Sequence, residues 1–378
     1  IDLGADNDTF HYQGLGSASM VVDGGAGTDT LSVVTSSGAV VIDFSNSTDQ
    51  IAAEAGSYSN FENLAASSAT HAFTVTTAAS GGNIVTGSGD DNVTLTAVSN
   101  TSVETGAGDD IINVTAATIN GDIDAGGNTG VGDTLNVLGG GELGMSVTAV
   151  GIENVSLAVA TNFTANALSA LFITGSSGDD TITVGAADQL VAAAGGDDLI
   201  KVADALLSGS LVVDGGAQSS ADTLEISTDA LVLDADLAQV SAIEVLKLSA
   251  DASDNAQSVS LATNAANAGL TTINATSVGA TDAITVDASV FANALTVNTA
   301  AGDDIITLGA GGSVVNAGNG ANSVTVGAAN DGVQDDSITT GSGADLIVTS
   351  DTRLTLSLIH ISEPTRLRRI SYAVFCLK

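Results

Sequence analysis

The sequence predicts an all-β chain folded as a parallel β-solenoid (a β-roll or β-helix) with about 18–20 residues per coil. Three observations predict it. A Gly-Asp turn followed by a short β-branched strand recurs along the chain. Its copies are spaced by about one coil of chain. After each Asp the residues alternate polar and apolar.

The turn unit reads TGSGDDNVTL at 86–95, TGAGDDIINV at 105–114, GSSGDDTITV at 175–184, AAGGDDLIKV at 193–202, TAAGDDIITL at 299–308 and TGSGADLIVT at 340–349. GGAGTDTLS at 24–32 has the fullest form, and LGADNDTFH at 3–11 is a looser copy. Glycine supplies the positive-φ positions of a tight turn, and segments so rich in Gly and β-branched residues make poor helices. Asp180-Thr-Ile-Thr-Val alternates as a strand with one buried face does.

Asp91 to Asp110, Asp180 to Asp198 and Asp304 to Asn322 each span about 18–20 residues. Such a period allows two short strands and two turns per coil. Successive coils then stack the same turn on the same edge, about 4.8 Å apart.

The rungs group into blocks at about 1–33, 84–137, 173–226 and 297–349. Each full block has three rungs: Asp91, Asp110 and Asp133; Asp180, Asp198 and Asp222; Asp304, Asn322 and Asp345. Asp8 and Asp29 read as the last two rungs of a block cut off upstream. Between blocks a second signature recurs as NFENLAAS at 60–67, GIENVSLA at 151–158 and AIEVLKLS at 242–249. These connecting segments stay strand-like (Phe73-Thr-Val-Thr, Ala283-Ile-Thr-Val), so residues 1–355 read as one continuous solenoid.

The C-terminal stretch does not match the rest. LSLIHISEPTRLRRISYAVFCLK at 356–378 holds the one Pro, the one Cys and four of the seven basic residues. Its back-translation resembles the two constant arms of a sequencing-library adapter flanking an index, so 356–378 is expected to be non-native. The chain starts at Ile1 without a signal-peptide pattern and reads as a fragment.

Composition narrows the function. The chain carries 44 acidic against 7 basic residues, a formal charge of −37. Without the tail, three basic residues (Lys201, Lys247, Arg353) face 43 acids, and the charge is −40. Nucleic-acid binding is excluded, because phosphate contacts need Lys and Arg. Docking on an anionic membrane is disfavoured on the same ground, and no run of about 20 apolar residues spans a bilayer. With no native Cys there is no disulfide framework. The acidity fits a secreted, extracellular or bacterial surface protein better than a cytosolic enzyme.

The nonapeptide at 24–32 fits the pattern G-G-x-G-x-D-x-U-x. On these turns the chain resembles the RTX (haemolysin-type calcium-binding repeat) family. The DGG…DTL and GIEN-type segments are similar to those of its large surface-layer (S-layer) and adhesin-type members. The resemblance implies Ca²⁺ held between stacked turns by turn carbonyls and the sixth-position Asp. Carried over, those positions are Asp8, Asp29, Asp91, Asp110, Asp180, Asp198, Asp304 and Asp345, with Asp133 and Asp222 in the looser rungs. The family's long tandem run of nonapeptides is absent, so one edge is expected to bind metal, and Asn322 breaks the last block's middle rung.

Elementary physics points the same way. Ca²⁺ takes six to eight oxygen ligands in flexible geometry. Carboxylates stacked about 5 Å apart repel by roughly 1 kcal/mol in water, and by more at lower dielectric. The alternative is an Asp-rich turn whose carboxylates only satisfy backbone N–H groups.

Other chemistry is thin. His11 and His71 are isolated, no His/Cys cluster suits zinc, and no nucleophile-elbow or P-loop motif is present. An enzymatic role for this segment is not expected. The expected role is a structural segment of a large secreted calcium-binding protein at the bacterial surface, with self-association or other surface components as partners. The alternatives are the calcium-folding repeat region of a secreted enzyme or toxin and, on the Thr-x-Thr strands, an ice-binding solenoid.

Overall fold

The computed structural model describes residues 1–13, 20–34, 38–51, 55–96, 101–114, 122–144, 149–167, 170–207, 210–228, 231–249, 256–279, 282–327, 336–349 and 355–356. The segment expected to be non-native lies outside them from 357 on; Leu356 pairs with Ile338 in a short strand. The described chain is almost entirely short parallel strands, each hydrogen-bonded to the equivalent strand of the next coil. It is a parallel β-solenoid. One six-residue helix, Thr263–Ala268, and two short 3₁₀ turns are the helical elements among the described residues.

Coil length varies more than the turn spacing implies. Phe172 pairs with Leu190 across one short coil, whereas the chain between the paired residues Val21 and Ser57 is far longer. Coil length does not sort by block: the coil from Ile111 to Thr134 inside a block is longer than the coil from Asn154 to Phe172 between blocks.

Five sheets form the walls. Sheet I has two strands (Val21–Asp23, Ser57–Ser59). Sheet II has seven, from Thr9–Tyr12 to Ala149–Val150; sheet III has ten, from Val40–Asp43 to Val240–Ser241. Sheet IV has eleven, from Gly141–Gly144 to Thr355–Leu356; sheet V has six, from Leu231–Val232 to Leu346–Thr349.

Two walls face each other at any level, and they are replaced in relay. Between Asp29 and Glu62, between Asp133 and Glu153, and between Asp222 and Glu244, a coil carries three strands instead of two. In the second of these, Thr134–Val137 belongs to sheet III, Gly141–Gly144 starts sheet IV, and Ala149–Val150 ends sheet II.

The core is a stack of aliphatic columns fixed by strand register. In sheet III, Val93, Ile112, Leu135, Val155, Ile173, Val191 and Val213 stack in unbroken register, all buried. In sheet IV the column from Phe163 through Ile200 and Leu246 to Ile338 is equally continuous. Because each column keeps one inward side, the walls facing it succeed one another along the same side of the rod. Period-2 alternation sends Asn, Thr and Ser outward. There Asn113 Nδ2 donates to Asn92 Oδ1 (2.7 Å) and Asn136 Nδ2 to Asn113 Oδ1 (3.0 Å), an amide ladder along the coil axis.

Candidate functional site: the carboxylate ladders

Every Gly-Asp turn joins one wall to the next, and the second Asp of the turn points inward. Its Oδ1 accepts the backbone N–H of the residue one coil earlier. In the second block, Phe73 N–H bonds Asp91 Oδ1 (2.6 Å), Asp91 N–H bonds Asp110 (2.7 Å), and Asp110 N–H bonds Asp133 (2.7 Å). The third block repeats this from Thr161 through Asp180 and Asp198 to Asp222, each at 2.7 Å. The fourth runs from Ile284 to Asp304, Asn322 and Asp345 at 2.8–3.1 Å. In the first, Asp8 N–H bonds Asp29 Oδ1 at 2.8 Å.

The ladders end on residues that the turn motif does not contain. Glu62 accepts the N–H of Asp29 (2.8 Å), Glu153 that of Asp133 (2.9 Å) and Glu244 that of Asp222 (2.9 Å). These are the Glu residues of NFENL, GIENV and AIEVL. The second signature is therefore a ladder terminator. Its recurrence between blocks was legible in the sequence, but its role was not, because a longer side chain reaching back across a three-strand coil has no local signature.

The first Asp of each doublet is exposed (Asp90, Asp179, Asp303) or half-buried (Asp109, Asp197) and reaches the other way. Asp90 Oδ1 accepts the N–H of Asp109 (3.0 Å), Asp179 that of Asp197 (2.9 Å), and Asp303 that of Ala321 (2.7 Å), each donor one coil later. Asp109 collects the N–H groups of Thr129, Gly130 and Val131, and Asp197 those of Ser219 and Ser220. Adjacent carboxylates thus stitch each turn to both neighbours.

Their protonation preferences diverge accordingly. The Val131 N–H above all holds Asp109 below the usual carboxylate range, and the Ser220 N–H does the same for Asp197. Burial pushes the inner carboxyls up: Asp91, Asp133 and Asp222 to about 6 and Asp198 to about 7, with Asp110 and Asp304 also raised.

The turns do not share one edge, as the sequence led us to expect. Asp91, Asp110 and Asp133 sit where the chain passes from sheet II to sheet III, at the start of the sheet III strands. Asp180, Asp198 and Asp222 sit where it passes from sheet III to sheet IV, at the end of sheet III strands. Asp304, Asn322 and Asp345 follow sheet IV strands and precede those of sheet V. All sheet III strands are parallel, so consecutive ladders lie on opposite edges of that wall. Each three-strand coil moves the turn across.

The inner oxygens left over define the candidate site. Oδ2 of Asp29, Asp133, Asp198 and Asp222 is buried without a hydrogen-bond partner. Three further inner carboxyls have a threonine hydroxyl as partner, Thr86 at Asp91, Thr105 at Asp110 and Thr299 at Asp304, and the Gly87 N–H also reaches Asp91. Thr86 and Thr105 Oγ1 also lie within hydrogen-bond distance of the carbonyls of Thr105 (2.9 Å) and Ala125 (3.0 Å). Four of the ten predicted positions thus share an oxygen without a donor. Of the rest, Asp180 Oδ2 accepts both Ser176 N–H (2.7 Å) and Ser176 Oγ–H (2.9 Å), while Asp8 and Asp345 are only half-buried.

Asn322 shows what surrounds the orphan atom. Its Oδ1 has the ladder partner, and its Nδ2 donates to the carbonyls of Gly318 (3.4 Å) and Gly320 (3.5 Å). Oδ1 plays the same part at every rung, so the orphan Oδ2 of an Asp takes the place of that NH₂, beside the same turn carbonyls. Oxygen facing oxygen in a buried place calls for a positive or hydrogen-bearing group between them. The donor set is all oxygen, which suits a hard divalent cation. Among the described residues no three His, Cys, Asp or Glu side chains converge as a preformed metal cluster; each turn offers one inner carboxylate plus main-chain carbonyls.

No protein-family model matches the chain, and no curated protein is similar to it at a significant level. Among the described residues no helix is long and apolar enough to cross a membrane.

Proposed function

We propose that this chain is a structural segment of a secreted β-solenoid protein at the bacterial cell surface, whose turns bind Ca²⁺. The fold supports a structural repeat segment. One observation carries the calcium reading: a row of buried carboxylate oxygens without donors, set beside turn carbonyls. Asp29, Asp133, Asp198 and Asp222 supply the unpartnered carboxylate oxygens, and turn carbonyls supply further oxygens. When bound, the cation neutralises the stacked charges and gives the orphan oxygens a partner. The resemblance to RTX surface-layer and adhesin-type proteins supports the extracellular role, as does a charge of −37. On this reading the segment itself has no enzymatic role.

The test is calcium titration of the full chain after chelation, followed by calorimetry and far-UV circular dichroism. Saturable binding with a gain in strand signal or melting temperature is expected, with Mg²⁺ a poorer substitute because it demands strict octahedral geometry. A chain that is folded and indifferent to both chelator and Ca²⁺ overturns the calcium reading.

A further inference from the structure

The rungs of the ladder are not equivalent, and the differences lie in named side chains. Where Oδ1 of a buried rung takes the neighbouring coil's N–H, the second atom of the side chain meets one of four situations. At Asp29, Asp133, Asp198 and Asp222 it is an oxygen with no donor, and at Asp91, Asp110 and Asp304 a threonine hydroxyl hydrogen-bonds to the carboxyl. At Asp180 it is an oxygen capped by Ser176, which stands where other turns carry Gly87 or Gly106. At Asn322 it is a nitrogen that donates to Gly318 and Gly320.

We propose that Ser176 and Asn322 make two rungs self-sufficient, and that the four donor-deficient rungs, Asp29, Asp133, Asp198 and Asp222, are the ones that admit a divalent cation. The cation half rests on the calcium reading above; the rung chemistry does not. A cation entering at Asp180 has to compete with two hydrogen bonds already made. At Asn322 it meets amide hydrogens instead of a lone pair. Flipping that amide end for end would turn its NH₂ toward the Asp304 N–H, donor against donor. The third block therefore starts on a rung that needs no guest, and the fourth has one at its centre. Between them they fix coil register while neighbouring rungs await the ion.

The prediction runs in opposite directions for paired variants of the full chain. Asp198→Asn converts a deficient rung into a self-sufficient one, with its amide placed as that of Asn322 is, toward the carbonyls four and two residues earlier in its turn. It should raise the melting temperature in EGTA and lower calcium stoichiometry by one equivalent or a shared fraction of one. Asn322→Asp should do the reverse on both counts, and Ser176→Gly should also lower the EGTA melt and add calcium capacity. Asp188→Asn, an exposed turn residue, removes the same charge and controls for the relief of general repulsion.

Three outcomes are decisive. If the chain binds calcium but Asn322→Asp and Ser176→Gly leave stoichiometry unchanged, the rung assignment is overturned and the calcium reading survives. If no form binds calcium while the EGTA melts still move in the predicted opposite directions, the self-sufficient rungs stand and their link to a cation falls. If Asp198→Asn melts no higher in EGTA than Asp188→Asn, the donor-deficiency argument itself is wrong.

Discussion

At the scale of single residues, two neighbouring aspartates with identical chemistry do opposite things. Asp109 is half-buried, gathers four N–H groups from the following coil and is held toward the ionised form; Asp110 is buried, bonds one N–H of the preceding coil and resists ionisation. Environment alone separates them. The inner group has a consequence for pH. Asp198 titrates at about 7 and Asp91, Asp133 and Asp222 at about 6 when folded, against about 3.9 for an unfolded aspartate. Between those values the folded state holds more protons than the unfolded one, so stability falls as pH rises from about 4 to about 7. In EGTA, the urea midpoint should be higher at pH 5 than at pH 8, and Asp198→Asn should flatten that slope. The terminators make a second prediction. Glu153→Ala leaves the Asp133 N–H without its acceptor and should cost about 1–3 kcal/mol. Glu153→Gln, which retains a carbonyl oxygen, should cost clearly less by the same denaturation assay.

At the scale of elements, turn and strand impose different demands. The turns at Asp29, Asp110 and Asn322 take positive φ at the residue four before the rung, and each has Gly there. Gly106 has φ +93°, and a Cβ there would lie 2.0 Å from the Gly87 carbonyl oxygen of the preceding coil. Ala194 occupies the corresponding place before Asp198 with φ +74°, a conformation that strains any residue with a Cβ. Ala194→Gly should therefore stabilise the protein by about 1 kcal/mol, read from the urea midpoint. The strand instead needs an inward aliphatic in register. Ile200 is fully buried between Ile182 and Leu224, and Ile200→Ala should cost about 2–5 kcal/mol through lost burial and the cavity left behind.

At the scale of the molecule, the relay of walls divides a continuous rod into sections. Each section has its own ladder, each of the first three ladders ends on a Glu, and consecutive ladders lie on opposite edges. The aliphatic columns cross these boundaries without a break, so the core ties together what the ladders keep separate. Perturbing one ladder should then stay within it. In hydrogen exchange, Asp110→Ala should speed exchange of the Asp91 amide and its block neighbours while leaving the amides of Asp180 and Asp198 protected as before. Loss of protection spreading equally into the next block would argue against independent ladders. Among the described residues the one ion pair is Lys247 with Glu225 at 2.9 Å, across the outer surface of sheet IV. Cations supplied by the chain itself do little to offset its charge.

Much of this was written in the sequence. Glycine at fixed offsets from Asp, and apolar residues at every second position after it, determined the turn, the strand and their stacking, because both are local consequences of backbone sterics and side-chain alternation. The Asp positions were legible for the same reason. Which oxygen of each Asp finds a partner was not, since that depends on Ser176 or an amide reaching the same point in space. Nor could spacing reveal the edge on which each ladder lies. A three-strand coil and a two-strand coil differ by a turn whose direction only the packed walls decide. The meaning of NFEN and GIEN followed from that packing: the glutamates close ladders whose donors lie a full coil or more earlier in the chain. Local sterics fixed what each turn is; contacts between coils fixed what each carboxylate does.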